Sequence, residues 1–332
     1  MENELLQDAR KHFSRLGLAY FFGSLIIILI QLAATKIAGH LDPDMATSNY
    51  SLYFAILMLS MYLISMPLMG FLISRTQPKS TLSRHKMTVG QWLIAFLICY
   101  GAVYVGNLIG NLLTQMVSIL KGHAVTNVLG AVLTNLNPFT AFFITVICAP
   151  IAEELLFRKL LIERTIRYGE GISVLLSGLL FGLFHGNLNQ FVYAFLLGCF
   201  FGFIFVKTGD VRYTIGMHML VNFLGSIVSM QILRVSGLSE LLTASASSDA
   251  DIMALCMQHL SGLVIYLLYV IVIIGITIAG IILFIVNFRR FTLIPGELTV
   301  PRGVRFKAYI GNVGMILFGL FWIGQMIYQL LQ

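Results

Sequence analysis

Charge is what this sequence has least of. Asp, Glu, Lys and Arg make up 11% of its 332 residues against 58% hydrophobic ones, and the mean hydropathy is +0.90. A soluble domain carries roughly 25% charge, so a soluble globular chain is excluded. Cysteine is sparse too. Cys99, Cys148 and Cys199 fall in apolar runs and Cys256 in a connecting segment, with no CxxC pair, so no disulfide framework follows and the thiols read as small hydrophobes. Acidic residues are outnumbered, 14 against 21 basic, for a net charge of +7. The basic excess is spread over short segments between apolar runs, the pattern of the positive-inside rule, so no nucleic-acid partner is expected. Internal repeats of 20–50 residues and low-complexity tracts are missing as well.

What is there is apolar length. A helix needs about 20 apolar residues to cross a bilayer, and nine candidates lie near residues 16–37, 51–74, 90–119, 138–161, 171–187, 189–206, 213–233, 261–287 and 309–330. The fifth and sixth are short and joined by the tight turn "GNLNQ". The first run is too long for a signal-peptide core and lacks a small-residue cleavage site, so it reads as the first membrane helix. The expected fold is an all-α, polytopic transmembrane bundle of eight to nine spans. Alternating the connections between two sides gathers 18 of the 21 Lys and Arg on one side, leaving Lys36, Lys121 and Arg234 opposite. This predicts a multi-pass protein of the plasma membrane with a cytoplasmic N-terminus. Residues 1–15 read as an amphipathic segment on the cytoplasmic surface, and 235–260, poor in basic residues, as an outward loop. Gly178, Gly182 and Gly186 recur every fourth residue, as do Gly106 with Gly110 and Gly198 with Gly202. Such stripes let helix backbones approach closely in lipid. The organisation expected is an N-terminal helical part (1–137), a chemically distinctive core (138–233) and a C-terminal loop with two spans (234–332).

Polar groups inside spans are costly and mark function. "CAPIAEELLFRKLLIER" (148–164) carries Glu154 and Arg158 at i,i+4, able to pair on one helix face, while Glu153 points about 100° away and is left free. "FGLFHG" places His185 four residues after Phe181, and "GMHMLVN" places His218 and Asn222 one turn apart. At 1.5 Å per residue, Glu153 lies roughly 15 Å from Arg164, His218 about 9 Å and Asn222 about 15 Å from Arg212, and His185 about 21 Å from Gly171. All four fall in one layer, a carboxylate, two imidazoles and an amide at similar depth. That is a catalytic inventory.

"EELLFR" (Glu153–Arg158), "FGLFH" (Phe181–His185) and "HMLVN" (His218–Asn222) resemble, in order and without substitution, the EExxxR, FxxxH and HxxxN motifs of the CPBP family, which comprises CAAX-type prenyl endopeptidases and Abi-type bacteriocin-processing or self-immunity proteins. The resemblance covers about 138–233. It implies an eight-helix bundle, so that nine spans would mean an added helix. It further implies intramembrane proteolysis of a peptide or membrane-associated protein, with Glu153 and His185 activating a water, His218 and Asn222 stabilising the oxyanion, and Glu154 with Arg158 supporting the site. Whether the water sits on a metal stays open: His185, His218 and Glu153 could ligate zinc, yet the HExxH spacing of zincins is absent, and no cofactor is certain. Two readings from other classes stand beside this one: a catalytically idle immunity or scaffold protein, and a proton-coupled transporter. The transporter would need polar residues continuing across the bilayer, whereas the outer halves of the spans read as apolar. Oligomeric state and substrate identity are not legible.

Overall fold

The computed structural model describes residues 2–123, 125, 136–238 and 249–331. Its helices are α1 (Glu2–Leu41), α2 (Tyr50–Ser74), α3 (Val89–Lys121), α4 (Pro138–Tyr168), α5 (Glu170–Phe184), α6 (Leu188–Thr208), α7 (Val211–Ser236), α8 (Asp249–Gln258), α9 (Leu260–Arg290) and α10 (Val313–Leu331). Among the described residues eight of these are long and apolar enough to cross a membrane, so the chain is a multi-pass, all-helical integral membrane protein. The expected fifth span is corrected: α5 has 15 residues, about 22 Å of helix against a hydrocarbon core of roughly 30 Å. It ends at Gly186, whose φ of 64° turns the chain into α6 against Trp322 and Gln325 of α10. The left-handed conformation there is one that glycine adopts without a Cβ clash, so Gly186 serves the turn rather than the helix stripe.

Helices in lipid gain little from hydrophobicity when they meet, and must gain from close packing instead. The remaining glycines supply it. A Cβ on Gly198 would sit 2.7 Å from the Cα of Gly178, one on Gly106 would sit 2.6 Å from the Cα of Tyr193, and one on Gly110 would sit 2.4 Å from the Asn189 carbonyl oxygen. These contacts press α5, α6 and α3 together around buried Phe157, Phe181 and Phe201. α9 lies at the other extreme: its most apolar stretch has a mean hydropathy of 3.0 and only 6% of it is buried.

The segments that the charge pattern assigned to one side do share a face. Ser80 N donates to the Glu163 carbonyl (2.7 Å), His85 N to Thr208 O (2.8 Å) and Leu298 N to Arg167 O (2.9 Å). The Arg164 guanidinium donates to Ser74 O and Thr76 O (3.0 and 2.9 Å), and His12 Nε2 lies 2.7 Å from Arg164 O. Lys121 bonds the Leu330 carbonyl at the opposite end. Two expectations give way. Residues 2–15 are the start of α1 rather than a separate surface helix, because Ala9, His12 and Phe13 are buried against Tyr168 and Tyr309. The outward loop is partly helical, since α7 runs to Ser236 and α8, with Cys256, spans Asp249–Gln258; the rest of it, 239–248, lies outside the described residues.

Candidate active site

α4 and α7 position the first groups, and both depart from regular α-helix where they do so. In α4, π-helical turns at Phe142–Cys148 and Leu155–Leu160 bracket the turn Ala149–Glu154 that carries the two acids, and in α7 a π-helical turn, Phe223–Val228, follows Asn222 directly. Single π turns inside α-helices occur frequently at functional sites, because the extra residue re-aims side chains and frees carbonyls. Here it frees Thr145 O, which accepts one amide proton of Asn222 at 2.8 Å.

His218 is the meeting point. Its Nδ1 lies 3.0 Å from Glu154 Oε1, and its Nε2 lies 3.7 Å from Glu153 Oε2. The two adjacent acids, pointing about 100° apart on α4, therefore approach one imidazole from two sides. Glu154 Oε1 is shared, because Arg158 Nη2 also lies 3.0 Å from it, and both Glu154 and Arg158 are fully buried. The guanidinium is further held over the faces of Phe181 and Phe201, 4.3 and 5.7 Å from their centroids, and Nη1 donates to Ser177 Oγ at 3.4 Å. Ser177 in turn donates to Phe157 O at 2.8 Å. Phe181 connects the groups: its ring meets His185 edge-on at 4.8 Å and His218 at 5.8 Å.

His185 closes the set. Its Nδ1 lies 2.8 Å from Phe181 O; the carbonyl can only accept, so the proton is on Nδ1 and Nε2 carries a free lone pair. Glu153, His185, His218 and Asn222 all line one cavity of about 920 Å³, whereas Glu154 and Arg158 stand behind the wall. Among the described residues no three His, Cys, Asp or Glu side chains are grouped closely enough to hold a metal ion.

Sequence pattern alone missed three things. The Glu154–His218 bond spans 64 residues and has no local signature. The Ser177 support of Arg158 looked like part of a packing stripe. The outer halves of the spans, read as apolar, contribute hydroxyls and amides to the cavity wall: Tyr104, Asn107, Ser226, Ser229 and Tyr269. They escape notice because they are single polar residues on helices whose remaining faces meet lipid. The lining residues all lie from the level of Glu153 and His218 outward, away from the basic face; below them Leu156, Phe157 and Leu161 are buried.

Compared with known proteins, residues 135–224 match the family model described as Type II CAAX prenyl endopeptidase Rce1-like. The matched segment contains all three motifs and every residue of the Glu153, Glu154, Arg158, His185, His218 and Asn222 constellation. No curated protein and no solved structure matches the chain. Residues 135–224 of this polytopic membrane protein are thus similar to the Rce1-like family, consistent with the CPBP motifs read in the sequence.

Proposed function

We propose that the chain is an intramembrane endopeptidase that hydrolyses a peptide or membrane-associated protein through a water activated by Glu153 and His185. The observation that carries this reading is His218 held between two carboxylates, 3.0 Å from Glu154 and 3.7 Å from Glu153, at the closed end of a cavity that His185 and Asn222 also line. The Nε2 lone pair of His185 orients the water. Glu153 takes its proton as the oxygen attacks the carbonyl carbon, and returns that proton to the amine nitrogen when the C–N bond breaks. Glu154 holds His218 through Nδ1, and His218, together with the second amide proton of Asn222, faces the developing oxyanion. The serines on the wall are poorly suited as nucleophiles: Ser226 donates to Asn222 O and Ser229 to Leu224 O, so neither has a neighbouring base.

The basic face is the cytoplasmic one in this reading, and the membrane is the plasma membrane. A proton-relay or transport role needs a polar route through both halves of the bundle, and the buried Leu156, Phe157 and Leu161 below the site disfavour one. Comparing the membrane proteomes of cells carrying wild type and Glu153→Gln tests the proposal. Fragments that appear with wild type and vanish with a stably accumulating Glu153→Gln are expected; identical proteomes would overturn it.

A further inference from the structure

The turn "GNLNQ" does more than join α5 to α6. Asn187 caps α6: its Oδ1 accepts from Gln190 N at 2.9 Å, and because a backbone N–H can only donate, the orientation of this amide is fixed. Its Nδ2 therefore faces the other way, where it donates to His185 O at 3.0 Å and to Gln190 Oε1. That second contact fixes the Gln190 amide in turn, since a donor directed at it requires an oxygen there. Gln190 Nε2 is left on the far side and donates to the Tyr193 hydroxyl oxygen at 2.6 Å. An amide nitrogen has no lone pair to offer, so the Tyr193 proton cannot return that bond. Among the described residues this proton meets no other acceptor.

Tyr193 carries that proton at the catalytic cavity. It lines the same wall as Glu153, His185 and Asn222, and its ring stands edge-on to His185 with the centroids 6.3 Å apart. Its backbone is pinned as well: a Cβ on Gly106 would sit 2.6 Å from Tyr193 Cα and 2.9 Å from its Cβ, so α3 presses directly on the residue. A donor held at its oxygen, with no acceptor in its own protein, is costly to bury unless a ligand accepts from it. Asn222 offers a second such donor from α7, because only one of its amide protons is taken by Thr145 O. The group that both of them lack is a carbonyl oxygen.

On the reading of the site as proteolytic, we propose that Tyr193 is a further substrate-contacting residue, whose hydroxyl donates a hydrogen bond to a main-chain carbonyl oxygen of the peptide beside the bond that is cleaved. Asn187 and Gln190 are positioning residues: they act through Tyr193 by committing its oxygen as an acceptor and leaving its proton for the substrate. Every residue of a peptide carries a carbonyl, so this contact sets the register of the chain against His185 without selecting side chains.

Binding tests this without cleavage. A fluorescein-labelled alanine–leucine decapeptide, and a series in which each peptide bond in turn is replaced by an (E)-alkene that lacks the carbonyl, are titrated by anisotropy against purified full-length Glu153→Gln protein. At least one replacement should weaken binding by about tenfold. Adding Tyr193→Phe should weaken the parent peptide by a similar factor and leave that replacement without further effect, because both changes remove the same hydrogen bond. Gln190→Glu, added instead, keeps the hydroxyl but puts an acceptor where Nε2 stood. The Tyr193 proton then turns to it, and the same replacement should again lose its effect. Equal binding of all peptides, no binding by any, or penalties that all survive in Tyr193→Phe or in Gln190→Glu would overturn the proposal. If the pattern appears while wild-type protein cleaves none of these peptides, Tyr193 stands as a peptide-binding donor and the proteolytic reading falls; cleavage without the pattern leaves that reading and removes Tyr193.

Discussion

Replacing Glu154 with glutamine removes one charge from a cluster that cannot reach water. Arg158 and Glu154 are both 0% exposed, and one carboxylate oxygen serves Arg158 and His218 at 3.0 Å each. After the substitution the guanidinium keeps Ser177 at 3.4 Å and the faces of Phe181 and Phe201. Those aromatic contacts contribute roughly 0.5–2 kcal/mol, and they are present before and after. Breaking a buried pair by removing one partner costs about 3–5 kcal/mol. At roughly 2 °C per kcal/mol for a chain of this size, the melting temperature in detergent should fall by roughly 6–10 °C, with less protein in the membrane. The second consequence is chemical, because His218 loses the carboxylate on Nδ1. Combining Glu154→Gln with Arg158→Met removes the stranded charge and should bring stability back to within about 1 kcal/mol of wild type, since uncharged groups of similar volume are tolerated at such sites. Turnover should stay about 10²-fold or more below wild type, as it does when the group orienting a catalytic imidazole is lost. Thermal unfolding and cleavage of a substrate found by proteomic comparison measure the two effects. If the double variant regains activity along with stability, Glu154 is only a counter-ion and the account of His218 is wrong; if Glu154→Gln alone melts like wild type, the buried-charge argument fails.

Asn222→Ala should lower kcat by about 10²–10³ with little change in KM, because an oxyanion donor acts in the transition state; a change confined to KM would assign Asn222 to substrate binding. Single cysteines at Ser83 and Thr299, both on the basic face, should resist an impermeant thiol reagent in intact cells and label after permeabilisation, and labelling without permeabilisation would invert the orientation. Gly198→Leu should fail to accumulate, since its Cβ would start 2.7 Å from the Gly178 backbone, while Gly275→Leu, whose Cβ meets nothing within 4 Å, should accumulate normally; equal yields would refute close backbone packing as the reason for the glycine stripes.

The sequence by itself determined the fold class and singled out the candidate site residues. Long apolar runs can bury their backbone polar groups in lipid only as helices, so the spans were legible within a few residues, and the charge alternation gathered on one face the segments that the structure joins through Glu163, Arg164, Arg167 and Thr208. Glu153, His185, His218 and Asn222 stood out because a polar residue in such a run needs a reason, and the i,i+4 pairing of Glu154 with Arg158 follows from helix geometry alone. The tertiary structure decided what spacing cannot encode. It shortened the fifth span, because Gly186 turns the chain inside the bundle. It drew residues 2–15 into the core, where a sequence window sees only amphipathic surface. It showed that Glu154 holds His218 as well as Arg158, because that bond joins α4 to α7 and exists only when two helices cross at that depth. And it assembled Tyr100, Tyr104, Ser229 and Tyr269 from three helices into one wall of the cavity, since contacts between helices depend on which faces meet, and periodicity along one helix carries no information about its neighbour.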